Sequence, residues 1–158
     1  MGSGPSTHLA SIRNPCTLLL MSPYKSIKDV AKTLLGKANF LSKVVIERFR
    51  NVDTIQLVKC PVFFLHGLKD TLIPIAHTEE LNMNCNSPSY MHIPEEMDHN
   101  TFDSEEDLFK PFEKFMKTIV EDRADKHPDE LIPFVIFFEE KFYKPPAISL
   151  KLEKDQAE

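Results

Sequence analysis

The stretch CPVFFLHGLKDTLIP (60–74) decides the fold. Val62 to Leu65 is a short apolar run set between Pro61 and His66-Gly67. Bounded by turn signals, such a run is the pattern of a strand buried on both faces. Asp70 stands just beyond it, and Pro74 suits the first turn of a helix running to about Met83. Strand, carboxylate-bearing loop and helix make one unit of an alternating α/β arrangement. In an open parallel sheet, groups that do chemistry gather outside the carboxyl ends of the strands, where Asp70 falls.

On the N-terminal side, CTLLLM (16–21) is a second continuous apolar run, entered after Asn14-Pro15 and ended by Ser22-Pro23. It reads as another strand buried on both faces. Residues 6–13 suit a short helix before it. In SIKDVAKTLL (26–35), Ile27, Val30, Ala31, Leu34 and Leu35 share helical spacing, with Gly36 as the stop. LSKVVIERF (41–49) predicts a further short helix. Downstream, Ser89 to Ile93 is a third strand between Pro88 and Pro94. Ser104, with Glu105, Glu106 and Asp107 after it, resembles a capping box. The helix it opens would bury Leu108, Phe112, Phe115, Met116 and Ile119. Pro111 either kinks that helix or marks its first turn.

The alternation brings a second residue to the edge that carries Asp70. A helix of about ten residues travels roughly 15 Å along the sheet. A strand of five or six residues returns roughly 17–20 Å. The loop after the third strand, with His99, therefore emerges beside the loop with Asp70, one strand spacing of about 4.8 Å away. A lone aspartate after a strand is commonly a turn residue, and a lone loop histidine is commonly solvated. At one sheet edge the two together form an acid–imidazole pair. The carboxylate would fix the tautomer and stabilise the imidazolium formed when the base takes a proton from a nucleophile. Asp98 adjoins His99 in sequence, but neighbouring loop side chains seldom converge, which favours Asp70; Asp103 is the fallback. His66 reads as a structural residue beneath the site, and His92 as a packed or surface residue of its strand. His8, His77 and His127 have no partner at useful spacing. No set of ligands with metal spacing exists, so neither a metal nor a cofactor is expected.

These segments resemble the α/β-hydrolase superfamily over residues 1 to about 120. CPVFFLHGLKDTLIP is similar to the family segment in which a strand ends in His-Gly and the catalytic acid comes next. MHIPEEMDHNTF (91–102) is similar to its last strand and histidine loop. The opening MGSGPSTHLAS is similar to the segment just after the nucleophile elbow, Gly-x-Ser-x-Gly. The nearest branch contains the serine aminopeptidase-like hydrolases and the intracellular protein depalmitoylases. The resemblance implies the C-terminal part of an α/β-hydrolase fold, with parallel strands and flanking helices. It implies Asp70 and His99 as catalytic acid and base, in the family order of serine, acid, histidine. It places the nucleophile one position before Met1, so that the Met1 backbone N–H would contribute to the oxyanion hole. No serine in the chain has an elbow context; around Ser3 the flanking positions hold Met1 and Pro5. The implied activity is hydrolysis of an ester, thioester or amide. The implied partner is an acylated protein or a small ester or thioester. The alternative is a non-catalytic fragment acting as a binding module. Residues 1–120 are then a partial hydrolase domain and 121–158 a charged, proline-containing extension with one apolar island, Leu131 to Phe138.

Composition agrees with a globular domain: 158 residues, 42% apolar and 27% charged, with a formal net charge of -5. That charge offers no broad basic surface for nucleic acid. Cys16, Cys60 and Cys85 are widely spaced; an odd count without a signal peptide fits a reducing, cytoplasmic setting. Cys16 and Cys60 each enter an apolar run and read as buried small hydrophobes. No apolar run is long enough to span a bilayer. Peripheral membrane association is compatible with the depalmitoylase resemblance. Met1-Gly2 with Ser6 also fits a myristoylation pattern, whose few fixed positions recur by chance.

Overall fold

The computed structural model describes residues 2–35 and 46–126, with side chains to Asp122. Three parallel strands form its sheet: β1 (Leu18–Met21), β2 (Val62–Leu65) and β3 (Ser89–His92), in that order across the sheet. Leu18, Leu19, Leu20 and Met21 pair with Val62, Phe63, Phe64 and Leu65, which pair in turn with Ser89, Tyr90, Met91 and His92. Helix α1 (Ser3–Ile12) precedes β1. Between β1 and β2 lie α2 (Ile27–Leu35) and α3 (Asn51–Thr54), the latter running into a 3-10 turn at Ile55–Leu57. Helix α4 (Ala76–Met83) connects β2 to β3, and α5 (Lys110–Lys126) comes after β3. Helix-linked parallel strands are the α/β class expected from the sequence. The chain divides into two compact units, residues 1–121 and 122–158; the second is described only where α5 ends.

β2 is central, and all four of its residues are buried, as a strand covered on both faces must be. On one face Leu18, Leu20, Val62 and Phe64 pack with Ala10 of α1, Ile55, Val58 and Leu81 of α4. On the other, Phe63 stacks on its cross-strand neighbour Tyr90 at 5.7 Å. Phe112 and Phe115 of α5 close over it, each 5.4 Å from the Phe63 ring. Such aromatic pairs contribute about 0.5–1.5 kcal/mol beyond burial of their area.

Several local expectations change. The first strand begins at Leu18, and Cys16 is exposed rather than buried. Pro61 is the reason: its carbonyl accepts both the Thr17 hydroxyl, at 3.0 Å, and the Leu18 N–H, at 2.9 Å, so pairing starts there. β1 is buried fully only at Leu18 and Leu20, while Leu19 and Met21 are half-buried. Residues 46–49 of the helix expected at 41–49 have no regular structure; its first part, and the Gly36 stop, lie outside the described residues. The Leu131 to Phe138 island also lies outside them. The cap of the last helix is Asp103, not Ser104. Its Oδ1 accepts the Glu105 and Glu106 N–H groups at 2.9 and 3.0 Å. Its own N–H donates to Asp107 at 2.8 Å. Ser104–Phe109 is a widened π-helical turn before α5 proper, which leaves Pro111 in the first α-helical turn. Proline has no N–H to donate backwards and its ring crowds the carbonyl four residues earlier, so a wider turn relieves both.

Candidate active site

The loops after β2 and β3 are joined backbone to backbone. His66 N–H donates to the His92 carbonyl at 3.1 Å, Leu68 N–H to Pro94 at 3.0 Å and Lys69 N–H to Met97 at 3.0 Å. Gly67 permits this approach, because a Cβ there would overlap the Met97 carbonyl oxygen. Met97, 1% exposed, seals the seam from beneath. Lys69 and Glu96 form an ion pair outside it.

Asp70 and His99 meet across this seam. Asp70 Oδ2 lies 2.8 Å from His99 Nδ1. Asp70 Oδ1 accepts the N–H groups of Leu72 and Ile73 at 2.9 and 2.8 Å, an aspartate turn that leads toward α4 and fixes the carboxylate plane. The Asp70 side chain is fully buried, whereas that of His99 keeps 31% of its surface exposed. The acid is therefore enclosed and the imidazole presents an open side. Burial opposes ionisation of Asp70. The Ile73 N–H, His99 and the nearby Ser22 hydroxyl outweigh that effect and hold its pKa below the usual carboxylate range.

His66 lies beneath the pair, wholly buried. Its Nε2 is 2.8 Å from the Ile73 carbonyl and must donate to it. Its Nδ1 then accepts the Thr78 hydroxyl at 2.5 Å. Burial pushes the His66 pKa down. A neutral imidazole locked in one tautomer thus supports the turn whose N–H groups orient Asp70, with Nε2 3.6 Å from Asp70 Oδ2.

The other candidates separate from this pair. Asp98 Oδ1 accepts the Asn100 and Thr101 N–H groups, each at 2.7 Å, and so shapes the turn that presents His99. Asp103 caps the helical segment after the histidine loop. His92 ends β3, half-buried. His77 does have a partner, contrary to its sequence spacing. It is buried in α4, and its Nδ1 accepts the Lys25 N–H at 3.2 Å, a contact 52 residues apart. Met1 lies outside the described residues, so its part in an oxyanion hole has no geometry here. Ser3, rejected from the sequence as a nucleophile, begins α1; its hydroxyl accepts from Asn51 Nδ2 at 3.4 Å. Among the described residues, no group of three His, Cys, Asp or Glu side chains is arranged to hold a metal ion. Among the same residues, no helix is long and apolar enough to cross a membrane.

Two participants are not visible in the sequence alone. Thr78 is a buried hydroxyl that sets the His66 tautomer. Ser22 comes directly after β1 with φ 42°, a left-handed conformation uncommon outside glycine. Its buried hydroxyl has no partner in full hydrogen-bond geometry, yet it lies near enough to Asp70 to favour the carboxylate charge. The only sequence signal for it is the Ser22-Pro23 stop.

No family model and no curated protein matches the chain by sequence. Solved structures do match. Acetyl xylan esterase 1 from Thermoanaerobacterium sp. JW/SL YS485 aligns with a TM-score of 0.55 and 18% identity, over 75% of this chain and 43% of that one. Acetyl xylan esterase from Paenibacillus sp. R4 aligns with a TM-score of 0.51 and 14% identity, over 75% and 42%. Acylaminoacyl peptidase from Pyrococcus horikoshii aligns with a TM-score of 0.54 and 13% identity, over 73% and 22%. The chain thus spans less than half the length of each. At such identities the likeness concerns the fold, and with the helix-flanked parallel sheet it shows that this chain has an α/β-hydrolase fold.

Proposed function

We propose that this chain carries the acid–histidine part of a serine hydrolase acting on an ester, thioester or amide. One observation carries the reading: the buried Asp70 carboxyl group is hydrogen-bonded at 2.8 Å to the Nδ1 of a partly exposed His99. A hydrogen bond to Nδ1 leaves Nε2 as the basic atom on the open side. In this role His99 takes the proton of a serine hydroxyl and returns it to the leaving group, while Asp70 stabilises the imidazolium. An acyl-enzyme forms and water cleaves it. The esterase and peptidase names of the similar folds are compatible with that chemistry. The serine is read as standing one position before Met1 in a longer polypeptide, with the Met1 N–H as an oxyanion donor. The depalmitoylase-like branch, an acylated protein substrate and peripheral membrane association rest on the sequence resemblance, and a cytoplasmic setting rests on the odd cysteine count.

The test compares two polypeptides with a fluorophosphonate probe. Residues 1–158 alone should remain unlabelled. The same chain extended by its upstream coding sequence should be labelled at the added serine. His99→Ala should abolish that labelling, and Asp70→Asn should slow turnover about 10⁴-fold. Stoichiometric, pH-dependent labelling of a serine within 1–158 would sink this assignment. A second reading, a non-catalytic binding module, is favoured by β1, which has a strand neighbour on one side only among the described residues. An extended chain that lacks a reactive serine but binds a partner through β1 would select it.

A further inference from the structure

His77 is buried, 4% exposed, and takes no part in the acid–histidine pair. It stands in the first turn of α4, and its Nδ1 accepts the Lys25 N–H at 3.2 Å. An imidazole that accepts at Nδ1 carries its single proton on Nε2 and is neutral. Once protonated it has a donor at both nitrogens, and the same contact would set two N–H groups against each other. Lys25 is where helix α2 is tied to the rest of the fold. Its side chain pairs with Glu80 of α4 at 2.6 Å, and its carbonyl accepts the Val52 N–H of α3 at 3.1 Å. Ser26, the next residue, opens α2: its hydroxyl oxygen accepts the Asp29 N–H at 3.1 Å and its carbonyl the Val30 N–H at 3.2 Å. The Ile27 N–H adds a bond to Glu47 at 3.1 Å. None of the nine residues of α2 is buried, so these contacts at its start hold it more than packing does. Ile27, Val30 and Leu34 nevertheless line a concavity of about 380 Å³ that they share with Ser22, Ile73 and His99.

We propose that His77 is a pH-sensitive latch on α2. The neutral ring holds Lys25 and keeps α2 as a wall of the concavity beside His99. The protonated ring lets Lys25 go, and α2 loses its tie to α4. Burial opposes that protonation most, followed by the Lys25 ammonium group, with a further contribution from His66 at the end of β2; Asp29 of α2 and Glu80 of α4 favour it. On α3, Arg50 and Asp53 pair with each other, and His92 of β3 has Asp107 as its charged neighbour. The His77 pKa is therefore depressed, so the latch holds at neutral pH and opens as pH falls through a folded value below the usual one of about 6.5. Release of α2 rests on His77 alone; that the opened concavity then admits a substrate rests on the hydrolase reading.

The test follows the 158-residue chain by NMR as pH is lowered, with isotope-labelled methyl and imidazole groups. The Lys25 amide and the Ile27 and Val30 methyls should move together with the His77 ring, at a midpoint below about 6.5, while the β2 amides stay in place. Protection of the Val30 amide, corrected for intrinsic exchange, should fall about tenfold across the transition. His77→Gln, which offers a carbonyl acceptor and gains no proton, should abolish the pH dependence. Lys25→Met and Glu80→Gln both break the ion pair, yet they should move the midpoint in opposite directions, up when the cation is removed and down when the anion is. A purely structural role would move both the same way, and that result would overturn the proposal. So would α2 signals that ignore pH, or a transition that survives in His77→Gln and is shared with the β2 amides, which would assign it to His66. Release of α2 in a protein whose extended form resists fluorophosphonate would leave the latch standing without the hydrolase reading. Labelling of an extended form whose α2 ignores pH would do the reverse.

Discussion

The two sides of the carboxyl edge of the sheet are built differently. On the β2–β3 side, three inter-loop backbone hydrogen bonds and the buried Met97 hold Gly67–Asp70 against Pro94–His99. On the β1 side, α2 contributes no buried residue. The segment leading into it is tied by polar contacts: Ser22 N–H to the Leu65 carbonyl, Lys25 N–H to His77, and the Lys25–Glu80 ion pair at 2.6 Å. The acid–histidine geometry therefore stems from strand pairing, which any change to the seam must disturb. α2 itself is thus anchored by polar contacts around its start rather than by buried side chains of its own.

The largest effect should come from the seam. In Gly67→Val, added carbons meet the Met97 backbone, so the loops must part. A loss of about 4 kcal/mol or more in urea unfolding is expected, together with loss of the Asp70–His99 hydrogen bond in imidazole NMR spectra. A mild loss with the hydrogen bond intact would show that the lacing is dispensable. Next comes the contrast between leucines. Leu20→Ala, at 2% exposure in β1, should cost about 2–5 kcal/mol. Leu34→Ala in α2 should stay within about 0.5 kcal/mol. Equal losses would remove the distinction between the two sides.

Acid should weaken the seam in two windows. The His66 pKa is depressed in the fold by burial, so its contribution is complete above its unfolded value of about 6.5 and is lost as pH falls from there through the folded value. Asp70 is also depressed, with its burial outweighed by hydrogen bonds. Its contribution is present above about pH 3.9 and is lost as pH falls through the lower folded value. Unfolding midpoints against pH should show both declines, with the lower one reduced in Asp70→Asn and its remainder carried by Asp29, Asp98 and Asp103, whose hydrogen bonds also depress them. The one stabilising change is Ser22→Gly, which relieves the left-handed backbone on the β1 side and should raise stability by about 1 kcal/mol in thermal unfolding. A decrease would mean that the Ser22 hydroxyl supports Asp70 by more than the backbone strain costs.

The two halves also differ in how far the sequence reveals them. Asp70 and His99 are legible because strand and helix rises fix which loops share an edge, and 29 residues is what one helix and one strand occupy. The aromatic face of α5 is legible from the spacing of Phe112, Phe115 and Met116. Contacts distant in sequence are not. Nothing near His77 announces Lys25, and nothing near Thr78 announces His66, because each bond joins elements whose packing is set only once the sheet exists. The Asp103 cap is hidden for a local reason. The wider turn that precedes Pro111 makes Ser104 the first residue of the segment and so leaves Asp103, one residue earlier, as its cap.

Among the described residues, the order β1–β2–β3 puts Asp70 and His99 on the loops after the two strands farthest from the unpaired side of β1. A strand added beside β1 would pair through the backbone of Leu19 and Met21, leaving the joined loops untouched. That separation suits the molecule to a complementation test of the proposed function: a second polypeptide carrying a strand and a serine-bearing turn should, on that reading, pair beside β1, and any activity that appears would measure their association.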